Sequence, residues 1–132
     1  MAKDLRSWIQ QLDKHGELVH IDREVDPATN IGALNHLSRE KALLFKNVKG
    51  YPDWRVLGQA PANIRHMAVA MDSTLAEAVP KIVHLYEQPP TPAVEVQSAP
   101  CKEQIFHGDE VDLKKLPVHI HHAKDGGFYI GG

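Results

Sequence analysis

The side chains best suited to chemistry lie near the C-terminal end, where His119, His121 and His122 fall within four residues. In a strand, His119 and His121 would project from one face, and two imidazoles on one face can begin a zinc or copper site. His107 and Asp109 lie upstream, but no pattern at helical or loop spacing clearly supplies the remaining ligands. Two interpretations stay open: a metal site, or polar histidines that are solvated or hydrogen-bonded.

Acidic side chains surround the same region, and an acid–base pair would need carboxyl groups that are buried or paired. No sequence feature shows either condition, so a solvated turn is the competing interpretation. The carboxylates concerned are Asp109, Glu110, Asp112 and Asp125.

Nucleophile and nucleotide motifs are absent. Ser38, Ser73 and Ser98 have no GxSxG context, and Gly126-Gly127 belongs to neither a GxGxxG nor a GxxxxGK[ST] pattern. Cys101 is the single cysteine, so it has no internal disulfide partner and no CxxC companion for a metal. We interpret it as an unreactive thiol.

Composition excludes several classes of protein. The 132 residues suffice for one compact domain, with 42% hydrophobic and 24% charged residues. Fifteen basic and 17 acidic residues are scattered along the chain, which argues against a nucleic-acid partner. No apolar run is long enough to span a membrane, and the first residues lack the pattern of a signal peptide, so we expect a cytoplasmic protein.

The N-terminal part of the sequence predicts alternating helices and short strands. Its predicted helices are 4–16 with Asp4 as cap, 30–40 with Asn30 as cap, 63–71, and 73–87 with a Thr74–Glu77 capping box and a kink or break at Pro80. Its predicted strands are 17–21, 42–45 and 55–57, the last two forming a two-strand unit. Leu75, Val79, Ile82 and Tyr86 define the apolar face of the last helix, and Trp8 and Trp54 are expected to anchor the core rather than to stack on a ligand.

The C-terminal part of the sequence predicts a linker and short strands rather than helices. Residues 88–92 form a proline-rich linker, and short strands are predicted at 94–96 and 104–106, with a turn at 108–110. Residues 125–132 read as a turn that enters a strand.

Several stretches, in matching order and spacing, resemble the start of the UbiD family of decarboxylases. In the N-terminal part they are Asp4-Leu5-Arg6, Gly16-Glu17-Leu18, Glu24-Val25-Asp26-Pro27 and Ala42-Leu43-Leu44-Phe45-Lys46-Asn47-Val48-Lys49-Gly50-Tyr51. In the C-terminal part they are Gly108-Asp109-Glu110-Val111-Asp112-Leu113, Leu116-Pro117-Val118 and Asp125-Gly126-Gly127-Phe128-Tyr129-Ile130. The resemblance therefore spans nearly the whole chain.

The resemblance implies a reversible, non-oxidative decarboxylation of an aromatic or α,β-unsaturated carboxylic acid. It also implies prenylated FMN, held with a divalent metal, usually manganese, and potassium, in a protein that forms homo-oligomers. The implied fold is α+β: an N-terminal α/β domain at 1–88, then a linker and the start of a split β-barrel that binds flavin at 89–132.

The same resemblance places the metal and phosphate ligands of the family, and its Glu-Arg-Glu catalytic group, after Gly132. We therefore assign no catalytic, cofactor-binding or metal-binding residue in this chain, and we expect the chain alone to be inactive and to expose a strand edge prone to self-association. Two alternatives stay open: a small accessory module that docks on a larger partner, and a histidine-based metal-binding protein.

Overall fold

The computed structural model describes residues 4–130, which contain four helices and a three-stranded sheet. The helices are α1 (Leu5–Lys14), α2 (Asn30–Leu37), α3 (Ile64–Met71) and α4 (Leu75–Glu87), and the strands are β1 (Leu18–Ile21), β2 (Ala42–Phe45) and β3 (Val56–Gly58). Three short 3-10 turns follow at Pro100–Lys102, Gly108–Glu110 and Leu113–Lys115. The predicted α+β class is confirmed. None of the helices between residues 4 and 130 is both long and apolar enough to cross a bilayer.

The sheet has the order β1-β2-β3. β1 and β2 are parallel, with Leu18 opposite Ala42, and α2 lies in the crossover that a parallel pair requires. β3 runs antiparallel to β2, with Leu43 opposite Gly58. The predicted two-strand unit is therefore confirmed, although β3 begins and ends one residue later than expected.

The central strand β2 is buried on both faces because its side chains alternate between two clusters. Leu43 and Phe45 pack with Val25, Ile31 and Val48 on the α2 side of the sheet. On the opposite side, β2 and β1 pack against α1 in a second cluster that contains Leu12, Leu18, Ala42 and Leu44. A run of four apolar residues is what a strand between two helical layers needs.

Helix α1 begins and ends where the sequence predicts. The Ser7 amide donates to Asp4 Oδ1 at 2.7 Å. The Ser7 hydroxyl oxygen accepts a hydrogen bond from the Asp4 amide, which completes a capping box. This bond to the Ser7 amide is the main reason that the pKa of Asp4 lies below its ordinary value. Gly16 follows the helix with φ 68°, a left-handed conformation that glycine adopts without strain.

Helix α2 is shorter than predicted, and its cap is a different residue. Thr29, rather than Asn30, occupies the N-cap position, and Asn30 Oδ1 instead accepts a hydrogen bond from the Asp26 amide at 2.8 Å. The helix ends at Leu37 rather than Glu40, where the Ser38 hydroxyl donates to the Lys41 carbonyl at 2.8 Å. This local bond competes with continuation of the helix.

Helix α4 presents a different face to the core from the one predicted. Ala78 is fully buried and Ile82 packs beside it against α3, but Leu75, Val79 and Tyr86 are exposed. The Thr74 amide donates to Glu77 Oε2 at 3.0 Å, as the capping-box prediction requires. The helix continues through Pro80, so of the predicted kink or break at this residue the break does not occur.

The C-terminal part contains none of the predicted strands within the described residues. Residues 94–96, 104–106 and 128–130 have no strand partner, so these strand predictions are wrong, and Gly131 and Gly132 lie outside the described part of the chain. The predicted turn at 108–110 is confirmed as a 3-10 turn. Isolated apolar triplets become strands only when a neighbouring strand pairs with them.

The two tryptophans differ in their environment. Trp8 is half-buried, packs on the Leu12–Leu18 cluster and donates from Nε1 to the His66 carbonyl at 3.1 Å. Trp54 is 43% exposed, so its predicted role as a core anchor is wrong.

Candidate functional site

The histidine-containing segment 117–122 docks on the N-terminal layer at α2. The Ile120 amide donates to the Pro27 carbonyl at 3.1 Å. At Gly32, in the first turn of α2, an added Cβ would lie 2.3 Å from the Ile120 carbonyl oxygen and 2.5 Å from that of His121. Only glycine permits the two backbones to approach this closely. Slightly upstream of this segment, the Tyr51 hydroxyl donates to the Lys114 carbonyl at 2.9 Å, which attaches the C-terminal part at a second point.

Docking of this segment closes one side of a cleft of about 460 Å³, which we call the histidine cleft. Its other walls are α2 and the residues at and after β3. The lining residues are Gly32, Asn35, His36, Leu57, Gly58, Gln59, Ala60, Pro61, His119, His121 and His122. This lining includes no Asp, Glu, Lys or Arg, so the cleft carries no permanent charge of its own.

Two of the histidines predicted to share a face are in contact. The rings of His119 and His121 have centroids 4.2 Å apart and are tilted by 47°, and Tyr129 lies 6.0 Å from His121. Burial, with a smaller contribution from the charge of His121, lowers the pKa of His119 below its ordinary value. The lowered pKa favours the neutral form of His119.

Two polar atoms of the cleft residues are buried without a hydrogen-bond partner, Asn35 Oδ1 and His119 Nε2. The Asn35 amide packs directly over Gly58, where an added Cβ would lie 2.2 Å from Asn35 Oδ1. Unpaired buried polar atoms are costly and uncommon in folded proteins. Both atoms are covered by neighbouring protein atoms rather than exposed to the cleft.

A second titratable pair, which the sequence did not reveal, consists of His66 on α3 and Glu17 in the turn between α1 and β1. His66 is fully buried, and its Nδ1 accepts a hydrogen bond from the Ala62 amide at 3.1 Å. The neutral ring therefore carries its proton on Nε2, which faces Glu17 Oε2 at 3.5 Å. Glu17 Oε1 in turn accepts from Arg65 Nε at 3.1 Å.

Burial is the main cause that lowers the pKa of His66, and the carboxylate of Glu17 opposes it without prevailing. A histidine beside a carboxylate has the composition of a general base, but the His66 side chain is inaccessible to solvent. We interpret the pair as part of the packing between α3 and the α1–β1 turn. No local signal could have joined Glu17 to a histidine 49 residues away in sequence.

The other candidate residues do not assemble into one centre. Between residues 4 and 130, no group of three or more His, Cys, Asp or Glu side chains is arranged to hold a metal ion. His107 lies outside the cleft, its amide paired with Glu110 Oε2 at 3.2 Å. Cys101 is exposed.

The predicted carboxylates serve local turns. Asp112 accepts from the Lys114 amide at 2.9 Å, and Asp125 accepts from the His122 amide at the same distance. Asp109 and Glu110 are exposed in their 3-10 turn. The serines are equally local: the Ser73 hydroxyl donates to the Ala68 carbonyl at 3.3 Å.

Two family domains match this chain. Residues 9–86 match the 3-octaprenyl-4-hydroxybenzoate carboxy-lyase N-terminal domain, and residues 93–132 match the Rift-related domain of the same carboxy-lyase. The histidine cleft therefore lies where residues of the two matched regions meet.

Curated relatives are decarboxylases. The chain is 32% identical to ferulic acid decarboxylase 1 of Saccharomyces cerevisiae and 32% identical to pyrrole-2-carboxylic acid decarboxylase of Pseudomonas aeruginosa. Each alignment covers 98% of this chain but 29% of the relative. The chain thus spans less than a third of the length of these relatives.

A solved structure agrees with these matches. The UbiD-class enzyme HmfF from Pelotomaculum thermopropionicum, in an evolved dimeric form in complex with prFMN, superimposes with a TM-score of 0.80 and 36% identity. The superposition covers 96% of this chain and 30% of HmfF.

Proposed function

The chain belongs to the UbiD family of carboxy-lyases, and we propose that it forms the N-terminal part of an enzyme that removes carbon dioxide from an aromatic or α,β-unsaturated carboxylic acid. The observation that carries this proposal is the match of residues 9–86 and 93–132 to two domains of one carboxy-lyase. The acids in the names of the two curated relatives, ferulic acid and pyrrole-2-carboxylic acid, are the first substrates to try.

We propose prenylated FMN as the cofactor, which the prFMN complex of HmfF supports. We also propose Mn²⁺ and K⁺ as the ions that accompany it. When bound, this cofactor supplies the electron sink for decarboxylation. Residues 4–130 offer no group of side chains arranged for a metal ion, so we derive no step of the reaction through cofactor or metal in this chain. We propose that this chain alone neither decarboxylates nor retains flavin.

We propose a supporting role for the chain, divided into a domain at 1–88 and a linker with the start of a split barrel at 89–132. The end of α4 at Glu87 supports the boundary, as do residues 88–98, which are exposed and contain no helix or strand. The supporting role is consistent with the docked segment 117–122, which ties the second part to α2.

Decarboxylation assays test the function at two levels. The polypeptide encoded by the complete coding sequence, supplied with prenylated FMN, is expected to release carbon dioxide from ferulate or pyrrole-2-carboxylate. The 132-residue chain, supplied in the same way, is expected to release none and to show no flavin absorbance after gel filtration. Absence of turnover of any aromatic or unsaturated acid by the complete product would refute the first expectation, and stoichiometric flavin on the short chain would refute the second.

An accessory module is the second candidate, favoured by the exposed apolar residues of α4, which suit docking on another protein. The length of the coding sequence separates the two candidates, because an accessory subunit ends near Gly132 and a carboxy-lyase continues for several hundred residues. We also propose that the complete product forms homo-oligomers, which sedimentation tests. We propose a cytoplasmic location, which microscopy of a tagged protein tests.

A further inference from the structure

The loop between β3 and α3, at residues 59–62, forms one wall of the histidine cleft and is bonded to a buried imidazole. Gln59, Ala60 and Pro61 line the cleft. The Ala62 amide, which follows them, donates to His66 Nδ1 at 3.1 Å. Gln59 has φ 51°, in the left-handed region that residues other than glycine seldom adopt. A hydrogen bond to a titratable ring therefore holds a loop whose backbone conformation is not an easy one.

Protonation of His66 removes this hydrogen bond. A backbone amide only donates, so Nδ1 of the neutral ring is the acceptor and Nε2 carries the proton. A further proton from solvent can bind only at Nδ1, and the new N–H would point at the Ala62 N–H. An acceptor is thereby replaced by a donor. The charged ring and the observed position of the Ala62 amide exclude each other.

The position of His66 in α3 adds to this conflict. His66 is the third residue of the helix after the N-cap Asn63, whose Oδ1 accepts from the Arg65 amide at 2.8 Å. A positive charge is unfavourable in the first turn of a helix, because the backbone amides there present their positive ends. The ring is also fully buried, so a charge on it would lose hydration. α1 offers no compensating charge at this point, because it contributes the Trp8 indole, which donates to the His66 carbonyl.

The charged groups that face His66 do not remove the conflict. Glu17 lies 3.5 Å from Nε2, so it attracts an imidazolium without supplying an acceptor at Nδ1. Its other oxygen accepts from Arg65 Nε, and Arg65 Nη2 lies 3.6 Å from Glu40 Oε2. Burial outweighs the attraction of Glu17, and Arg65 opposes that attraction, so the pKa of His66 is lowered.

Other titratable groups lie farther out. Around the Glu17–Arg65 pair lie His15 and Asp72. Across the cleft from the loop lie His36, His119, His121 and His122. Residues 59–62 carry no charged side chain, so protonation of the cleft histidines brings no like charge against the loop.

We propose that the β3–α3 loop is a pH-sensitive wall of the histidine cleft. Protonation of His66 at Nδ1 releases the Ala62 amide, and residues 59–62 move away from the ring and widen the cleft while the sheet stays folded. This inference does not rest on the proposed decarboxylation, because it concerns the conformation of the described residues alone.

NMR of the ¹⁵N-labelled chain between about pH 7.5 and about pH 5 tests the proposal. The ¹⁵N shifts of the His66 ring report protonation at Nδ1, with an expected midpoint below 6.5. The amide shifts of residues 59, 60 and 62 are expected to follow that midpoint, while those of β2 stay unchanged. Protonation of the ring without movement of these loop signals would overturn the proposal. A ring that stays neutral until the whole chain unfolds would overturn it as well.

Hydrogen exchange of the Ala62 amide separates local release from global unfolding. After correction for the intrinsic exchange rate, protection of this amide is expected to fall by up to about tenfold per pH unit below 6.5. It is expected to stay constant on addition of about 0.5 M urea, because a local opening exposes little surface. Amides of β2 that exchange through global unfolding lose protection in urea. Parallel behaviour of Ala62 and β2 in urea would refute a local release.

His66→Gln removes the titratable ring. Protection of the Ala62 amide in this variant, whatever its level at neutral pH, is expected to stay within about twofold down to about pH 5. His84→Gln is the matched control, because His84 is exposed on α4, and it is expected to keep the full response to acid. An undiminished response in His66→Gln would exclude His66 as the sensor. Should His66→Gln fail to fold, the ring titration of the original chain decides the question alone.

Discussion

Gly32 is the residue on which docking of the C-terminal segment depends. A methyl group at this position would lie 2.3 Å from the Ile120 carbonyl oxygen, which is backbone and cannot swing aside. Alanine in place of glycine in a helix is ordinarily favourable by about 0.5–1 kcal/mol. A net loss of stability in Gly32→Ala would therefore be caused by the collision between the new methyl group and the Ile120 carbonyl oxygen.

We predict that Gly32→Ala destabilises the protein by about 1–3 kcal/mol, as expected for overpacking, and exposes the Ile120 amide to hydrogen exchange. Urea unfolding and exchange measured by NMR provide the two readouts. Gly126→Ala is the matched control, because no atom lies within 4 Å of a Cβ added there, and it is expected to be neutral. Retained protection of Ile120 in Gly32→Ala would show that the segment docks by other contacts.

His66 makes stability depend on pH. Its pKa is lowered by burial, so the unfolded chain binds a proton more readily than the folded chain. Stability is then fully present above the ordinary histidine pKa of 6.5 and is lost as the pH falls from there toward the lowered value. His119 acts in the same direction, because its pKa is lowered as well.

We predict that His66→Gln reduces the loss of stability on acidification. The substitution is also expected to lower the free energy of unfolding at neutral pH by about 1–3 kcal/mol, because the buried site is less well hydrogen-bonded. Chemical denaturation of both proteins in steps from neutral pH to about pH 5 measures the slope. His84→Gln, on the exposed surface, should retain the slope of the natural sequence. A slope that survives in His66→Gln would assign the loss to other groups, among which His119 is the first candidate.

At the scale of elements, the outer face of α4 is apolar and exposed to solvent. Val79 and Val83 are 56% and 52% exposed, and Leu75 and Tyr86 extend the same apolar surface along the helix. Contiguous apolar surface of this kind is typical of protein–protein contacts. The inner face already packs on α3 through Ala78 and Ile82.

We predict that Val79→Glu with Val83→Glu leaves the free energy of unfolding within about 0.5 kcal/mol of the original and reduces self-association at high concentration. Sedimentation velocity over a concentration series measures the second effect. Val94→Glu with Val96→Glu is the control, because those side chains are equally apolar and even more exposed, but lie off the helix. Association unchanged by the α4 pair, or abolished equally by the control pair, would exclude α4 as the contact.

At the scale of the whole molecule, the sequence predicted several features that local chemistry determines, although it missed the cap and the end of α2. The cap at Asp4, the left-handed Gly16 and the apolar run of β2 each act within a few residues, and each was predicted correctly. The resemblance to UbiD decarboxylases, carried by several such stretches in order, was confirmed by the two matched domains.

Features set by distant parts of the chain could not be predicted in this way. Nothing near Gly32 indicates that Ile120 will lie against it, and nothing near Glu17 indicates His66. The exposed face of α4 was mistaken for the core face because periodicity shows that one face is apolar and does not show what covers it. The histidine cleft exists only once such remote contacts are made, which is why the histidines alone suggested a metal.

The C-terminal part contacts the N-terminal part at two points, where Tyr51 meets Lys114 and where Gly32 meets Ile120. Residues 88–98, by contrast, are exposed and have no secondary structure. A protease would find its easiest cuts in that stretch. Because the segment beyond it is held at two separate places, a single cut there would leave two peptides that remain associated. We therefore predict that residues 4–87 and 99–130, produced as separate pieces, associate without a covalent connection between them.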